Sequence, residues 1–212
     1  MIPLELITEQ YRGLLPADLI LGLGDHSEHL TDDLLTDREL KEFQTFHNPK
    51  RRNEYLSSRN LIKDLVSEMG FDHTVFELRK DKLGKPFGTY RGRRINMSLA
   101  HSDRKVICGI SPSIQIGVDL EPVSRIVSDR LRERMLHADE REDLRNESLV
   151  RIWTLKEAMV KLEGKGLRTN LNRIVIRSGS DSEFKGFFNN DKSAIICSFK
   201  HEGYWIAVAY YS

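Results

Sequence analysis

Residues 101–110, HSDRKVICGI, and residues 201–210, HEGYWIAVAY, read alike at an offset of 100. A second likeness lies upstream of each. Tyr55-Leu-Ser-Ser-Arg59-Asn-Leu-Ile-Lys63 is matched by Trp153-Thr-Leu-Lys156-Glu157-Ala-Met-Val-Lys161 at an offset of 98. Each half is therefore expected to be a helix followed by strands that end in a hairpin. The chain divides as 1–111 and 112–212. The fold class this predicts is α+β: two lobes related by a pseudo-twofold axis, each a helix packed on a small, mainly antiparallel sheet. Arg59 and Glu157 then take related places, basic in one lobe and acidic in the other. A cleft between two such lobes suits an anionic ligand.

The local signals agree with this division. Thr36 with Glu39 three residues on is a capping-box pattern, and Asn48-Pro49 opens a helix that Gly70 closes. LVRIWTLKEAMVKLEG, residues 149–164, has helical spacing and is stopped by Gly164 and Gly166. VFELRK (75–80) alternates as a strand does, and DKLGKPFG (81–88) is a Gly/Pro turn. INMSLAHSDRKVICGIS (95–111) reads as two strands around a polar turn, and IQIGVDLEP (114–122) as a strand ended by Pro122. RIVIRS (173–178) is another strand, and residues 192–212 form a closing hairpin that turns near Gly203. Residues 123–147 are charged and read as helix or loop. Residues 1–30 read as short strands with a loop, and His26 and His29 there as polar loop residues without a ligand set.

Composition narrows the class. With 39% hydrophobic and 31% charged residues over 212 positions, the chain can bury a core and fits a soluble globular protein. The formal net charge of +1 selects neither nucleic acid nor a membrane as partner. No P-loop pattern is present. Cys108 and Cys197 sit in apolar runs and read as core thiols. The N-terminus has no signal-peptide pattern, so a cytoplasmic protein is expected.

Several short patterns bear on chemistry. Asp119 and Glu121 share one face of a strand, and two carboxylates so placed call for a cation between them. Mg2+ takes such oxygen ligands together with water and phosphate. Taken alone, the pair reads first as a solvated strand end, since such a spacing is common by chance. Trp153, Glu157 and Lys161 share one helix face, and Glu157 precedes Lys161 in the favourable order for an ion pair. Ser98-Leu-Ala-His101-Ser102 offers hydrogen-bond donors at a bend. Gly84-Lys85-Pro86 presents a lysine on a turn, and Lys50-Arg51-Arg52 with Arg59 forms a basic run.

In their joint order these patterns resemble the 4′-phosphopantetheinyl transferases, in particular the two-lobed type that acts on peptide and polyketide synthetases. The chain carries Gly117-Val118-Asp119-Leu120-Glu121, then Trp153-Thr-Leu-Lys156-Glu157-Ala158-Met-Val-Lys161, then Gly164-Lys-Gly166-Leu167. Upstream, Gly84-Lys85-Pro86, Ser98-Leu-Ala-His101-Ser102 and Arg51-Arg52 through Arg59 match further family motifs. Ala100 departs from them, standing where the family often has serine, which removes one phosphate hydrogen bond.

The resemblance implies a set of roles. Asp119, Glu121 and Glu157 are expected to hold Mg2+, and Glu157 to act as general base. Lys161 is expected on the phosphates of coenzyme A, with Lys156 as helper. His101 and Ser102 are expected on the 3′-phosphate or pyrophosphate, and Lys85, Pro86, Arg52 and Arg59 along the coenzyme A pocket. The partner implied is an acyl or peptidyl carrier protein, docked on the region 124–147, and the expected state is a monomer. The alternative is a non-catalytic member that binds coenzyme A or a carrier protein.

Overall fold

The computed structural model describes residues 5–26, 32–165, 169–188 and 192–211. The strands are β1 (Glu5–Leu6), β2 (Ile20–Asp25), β3 (Phe76–Lys80), β4 (Pro86–Tyr90), β5 (Arg93–Ser102), β6 (Lys105–Ser111), β7 (Ile116–Pro122), β8 (Val175–Ser178), β9 (Glu183–Phe187), β10 (Ser193–His201) and β11 (Tyr204–Tyr211). The α-helices are α1 (Asp37–Gln44), α2 (Pro49–Glu68), α3 (Asp129–Met135) and α4 (Leu149–Glu163). The class is α+β.

Two antiparallel sheets form among the described residues. One has the order β1-β2-β6-β5-β4-β3, the other β7-β11-β10-β9-β8. Apart from β1, the two orders are the same path drawn twice. A first strand is followed by a helix, then by a four-strand meander whose last strand pairs back on the first. The first sheet ends at Ser111 and the second begins at Ile116.

The helices start where their caps dictate. Thr36 accepts from the Glu39 N–H while the Glu39 side chain accepts from the Thr36 N–H. Asn48 caps α2, with Pro49 in its first turn, and Ser148 caps α4. Helix α4 ends at Gly164, whose φ of 78° is cheap only for glycine.

The register corrects the apparent offset of 100 in the hairpins. Ser102 pairs with Lys105 as His201 pairs with Tyr204, so the hairpins superpose with a shift of 99. His101 therefore corresponds to Lys200, not to His201. Through the same pairings, Gly22 opposite Cys108 corresponds to Asp119 opposite Ala207. Gly24 opposite Val106 corresponds to Glu121 opposite Trp205. The two carboxylates of β7 thus occupy positions that are glycines in β2.

The halves meet on a shared apolar core. Leu21, Leu23, Ala100, Ile107, Val118, Leu120, Ile206 and Val208 are all buried there. Ala100 belongs to this core, so its missing hydroxyl faces packing rather than a ligand. The thiols Cys108 and Cys197 are free and buried. Ser98 Oγ accepts from the Val118 N–H at 2.9 Å and ties β5 to β7.

Strand β7 also runs hard against α4. A Cβ on Gly117 would fall inside contact distance of the Ala158 carbonyl and the Leu162 backbone, with Leu162 Cα at 2.9 Å. Backbone cannot yield as a side chain can. Gly117→Ala is therefore expected to lose about 3 kcal/mol or more of stability, the upper range for overpacking. Urea unfolding monitored by tryptophan fluorescence checks this, and a midpoint equal to that of the parent would contradict the close approach.

Candidate active site

The contact of β7 with α4 decides which side chains meet. Asp119 is 6% and Glu121 9% exposed, an unusual burial for two carboxylates on one strand face. Leu120 points the other way into the core. Glu157 and Lys161 project from α4 one turn apart. Lys161 Nζ donates to Asp119 Oδ1 at 2.7 Å. Asp119 Oδ2 is buried and has no hydrogen-bond partner among the described residues. Burial, opposed by Lys161, holds the Asp119 carboxyl above the usual range. Burial and then the neighbouring Asp119 do the same to Glu157.

Glu121 is held from three sides. Ser102 Oγ donates to one oxygen at 2.7 Å, and Trp153 Nε1 donates to the other at 3.2 Å. Arg125, four residues on, also pairs with it, and its guanidinium lies 4.9 Å from the Trp153 ring centroid. Ser102 is thus engaged by a carboxylate rather than free for a phosphate.

This donor set suits a hard divalent cation. It offers carboxylate oxygens, one of them buried and without a partner among the described residues, and a Glu157 carboxyl raised by burial and by Asp119. Lys161 and Arg125 supply the positive charge in the present arrangement. The three carboxylates are not drawn together as tightly as Glu5, His201 and Glu202, whose ligating atoms lie within 4.8 Å of one another. That second group is occupied by its own contacts: Lys105 Nζ donates to Glu202 at 2.6 Å, and His201 faces the Tyr11 hydroxyl at 3.3 Å.

Two clefts flank Lys161. One, of about 190 Å3, is lined by Gly84, Lys85, Pro86, Ser98, Leu99 and Lys161, so it joins the turn before β4 to α4. Lys85 reaches across to donate to the Leu162 carbonyl at 2.7 Å, and burial lowers its ammonium to about 8. The other, of about 650 Å3, is lined by residues that include Leu131, Arg134, Trp153, Glu157 and Lys161.

His101 lies at the end of β5, its Nδ1 3.9 Å from Glu54. Burial pushes its imidazole down to about 4, so it is neutral at pH 7.

Three expected site residues lie elsewhere. Lys156 is fully buried on a different face of α4. It donates to the carbonyls of Met135 (2.7 Å), Leu171 (3.1 Å) and Ile174 (2.8 Å), and pairs with Glu140 at 2.5 Å. With all its protons engaged in the core, it cannot reach a phosphate. Arg59 is 7% exposed and paired with Glu39 at 3.1 Å, and it lines a separate cavity with Glu39, Glu42 and Lys80. Arg52 stacks on Phe43 at 4.0 Å and donates to the Phe46 carbonyl. Neither arginine lines the two clefts at Lys161. Gly166 and Leu167 of the glycine-rich motif, and His29, lie outside the described residues.

Sequence reasoning missed Glu140, the partner of Lys156, because it sits in an acidic run that reads as solvated. It also missed the grip of Trp153 and Arg125 on Glu121. The i to i+4 spacing of Glu121 and Arg125 was the available signal.

The paired carboxylates of β7 thus lie against a Glu/Lys helix packed on the same strand. Residues 115–209, from just before β7 into β11, match the model of the 4'-phosphopantetheinyl transferase superfamily. The chain is 30% identical over 117 residues to the 4'-phosphopantetheinyl transferase gsp of Aneurinibacillus migulanus, covering 52% of this chain and 47% of that protein. It is 26% identical over 172 residues to the 4'-phosphopantetheinyl transferase Sfp of Bacillus subtilis (strain 168), covering 72% and 75%. It is 29% identical over 91 residues to a holo-acyl-carrier-protein synthase of Staphylococcus carnosus, covering 40% and 78%. The match to the gsp protein thus takes in about half of its length.

Proposed function

We propose that this chain is a 4′-phosphopantetheinyl transferase that moves the phosphopantetheine group of coenzyme A onto a serine of an acyl or peptidyl carrier protein, with Mg2+ as cofactor. The observation that carries this reading is the buried Asp119 Oδ2, without a hydrogen-bond partner among the described residues, next to Lys161, which lines both clefts, and near Glu157, which lines the larger. The likeness to named transferases supports it.

Asp119, Glu121 and Glu157 would hold the Mg2+, whose charge offsets that of a bound pyrophosphate. The residues of the chain do the rest. Lys161 and Lys85, on opposite walls of the smaller cleft, hold phosphate oxygens. His101, neutral when free, gains a proton as an anion arrives and then donates to it. Ser102, Trp153 and Arg125 keep Glu121 in place. The carrier serine Oγ attacks the β-phosphorus, the bond from that phosphorus to the bridging oxygen breaks, and 3′,5′-ADP leaves. Glu157, raised above an ordinary carboxyl, takes the serine proton. Arg134 and Leu131 of α3 line the larger cleft beside Glu157, which favours docking of an acidic carrier on the 124–147 region. The reaction is placed in the cytoplasm, by a monomer. No described helix is long and apolar enough to cross a membrane.

The test is mass spectrometry of apo carrier proteins incubated with the protein, coenzyme A and Mg2+. A gain of about 340 Da, abolished by EDTA, is expected for a metal-dependent transfer. Binding of coenzyme A with no gain on any carrier would instead favour a member that binds without transferring.

A further inference from the structure

His26 follows the last residue of β2 and belongs to none of the motifs described above. Its backbone N–H donates to the Arg104 carbonyl at 2.6 Å, which sets it beside the turn between β5 and β6. Its ring Nδ1 lies 3.0 Å from Ser57 Oγ. Ser57 has one hydroxyl proton and donates it to the Asn53 carbonyl at 2.6 Å. The Ser57 oxygen can then only accept, so Nδ1 of His26 carries the ring proton. Nε2 is left as a bare lone pair. It is buried and has no hydrogen-bond partner among the described residues. Such acceptors are rare in folded proteins and costly. Beside it stands the ring of His101, centroid to centroid 5.8 Å, inclined at 61°.

We propose that His26 is a positioning residue for His101: when His101 binds a substrate phosphate as imidazolium, it donates its second N–H to Nε2 of His26. This rests on the transfer reading, because it takes coenzyme A as the source of the phosphate. A charged imidazole has two N–H groups, and the His101 side chain, 22% exposed, is half-buried, so in the complex each N–H is best served by an acceptor of its own. One serves the phosphate. For the other, Glu54 and His26 stand nearby. Glu54 is 3.9 Å from Nδ1, beyond hydrogen-bond reach, and is shared with Arg51 at 3.5 Å and Lys50 at 4.0 Å. His26 Nε2 is unshared. A turn of the His101 ring toward it completes a row from phosphate through His101, His26 and Ser57 to the Asn53 carbonyl. His101 donates one N–H to the phosphate and the other toward His26, and from there on every donor points toward the Asn53 carbonyl, so the row stands without any internal proton shift.

The experiment measures coenzyme A binding by calorimetry, with Mg2+, in the parent, His26→Asn and His26→Gln proteins. Asparagine keeps an N–H for Ser57 and has no acceptor at the place of Nε2. Glutamine brings a carbonyl oxygen close to that place. His26→Asn is expected to bind coenzyme A about tenfold more weakly, the loss of one charge-assisted hydrogen bond. His26→Gln is expected to regain most of that affinity. Nitrogen-15 shifts of the His101 ring should show both nitrogens protonated in the coenzyme A complex of the parent, and that signature should fade in His26→Asn. Parent-like binding by His26→Asn, or a glutamine variant as weak as the asparagine one, overturns the proposal. Should a variant fail to fold, the parent spectrum decides alone: a singly protonated His101 in the complex is equally fatal. A parent protein that binds no coenzyme A would sink the transfer reading itself, and this inference with it. Normal binding that ignores His26 would sink only the inference.

Discussion

A Glu157→Gln protein is expected to load carrier protein at least about 10²-fold more slowly than the parent, the lower range for loss of one general acid–base group. The substitution keeps size and shape, so α4 and its contact with β7 persist. What goes is a negative charge beside Asp119 and the only proton acceptor proposed for the serine. The negative Asp119 helps hold the Glu157 carboxyl above its usual range. With one carboxylate ligand gone and Asp119 paired to Lys161, the site binds a divalent ion more weakly, so the Mg2+ concentration needed should rise along with the loss in rate. Initial rates of carrier loading across an Mg2+ titration separate the two effects. A rate that recovers fully at high Mg2+ would leave Glu157 a ligand and remove it as base. Wild-type rates at all Mg2+ levels would remove both roles. Since both carboxyls sit above their usual range, they protonate early on acidification, and metal affinity should fall as pH drops.

Lys156→Ala is expected to lose about 3–5 kcal/mol of stability, because it leaves Glu140 as a buried charge without a cation. Both side chains are fully buried. Glu140 also accepts from the N–H groups of Ile176 at 2.9 Å and His137 at 2.8 Å, so it joins the 3-10 turn Ala138–Glu140 to β8. The ammonium of Lys156 in turn gathers three carbonyls from separate segments. This lysine therefore acts as a clasp for the loop before α4. Thermal and urea melts measure the loss. A variant that folds like the parent but transfers poorly would return Lys156 to the chemistry. Adding Glu140→Gln to Lys156→Ala should restore part of the stability, since the buried charge is then removed with its partner.

These two residues, neighbours in sequence, show what a reader of the chain can and cannot see. The helix was legible from its apolar spacing and Gly164, while its cap at Ser148 was not read from the sequence. The faces were legible for Trp153, Glu157 and Lys161, which repeat every four residues. Lys156 was not, because a lysine next to a functional glutamate looks functional, and only the burial of Glu140 reveals its structural work. Glu140 was hidden for the same reason, as one acid among several in an exposed run. Arg59 and Arg52 looked like phosphate ligands because a basic cluster has no address until the carboxylates and rings around it are placed. The strand pairs Asp119/Glu121 and the turn at Lys85 were legible as pieces. Their meeting across the lobes was not, since it depends on Gly117 letting β7 close on α4. The duplicated path was legible in outline, though its hairpins were displaced by one residue, enough to pair the wrong histidine with the wrong partner.

The glycines at 22 and 24, standing where the other half has Asp119 and Glu121, carry a historical meaning. An assembly of identical subunits must keep every ligand in every copy, because one gene writes them all. A chain that contains both copies is released from that bond. One copy can shed its acids while the other keeps them, and drift in the silent copy goes unpunished so long as it still folds. The small synthase of Staphylococcus carnosus, matched along 78% of its length by only 40% of this chain, is of the size such a single copy would have. Asymmetry of this kind lets one half specialise in chemistry and leaves the other free to be reshaped around whatever the pair must hold.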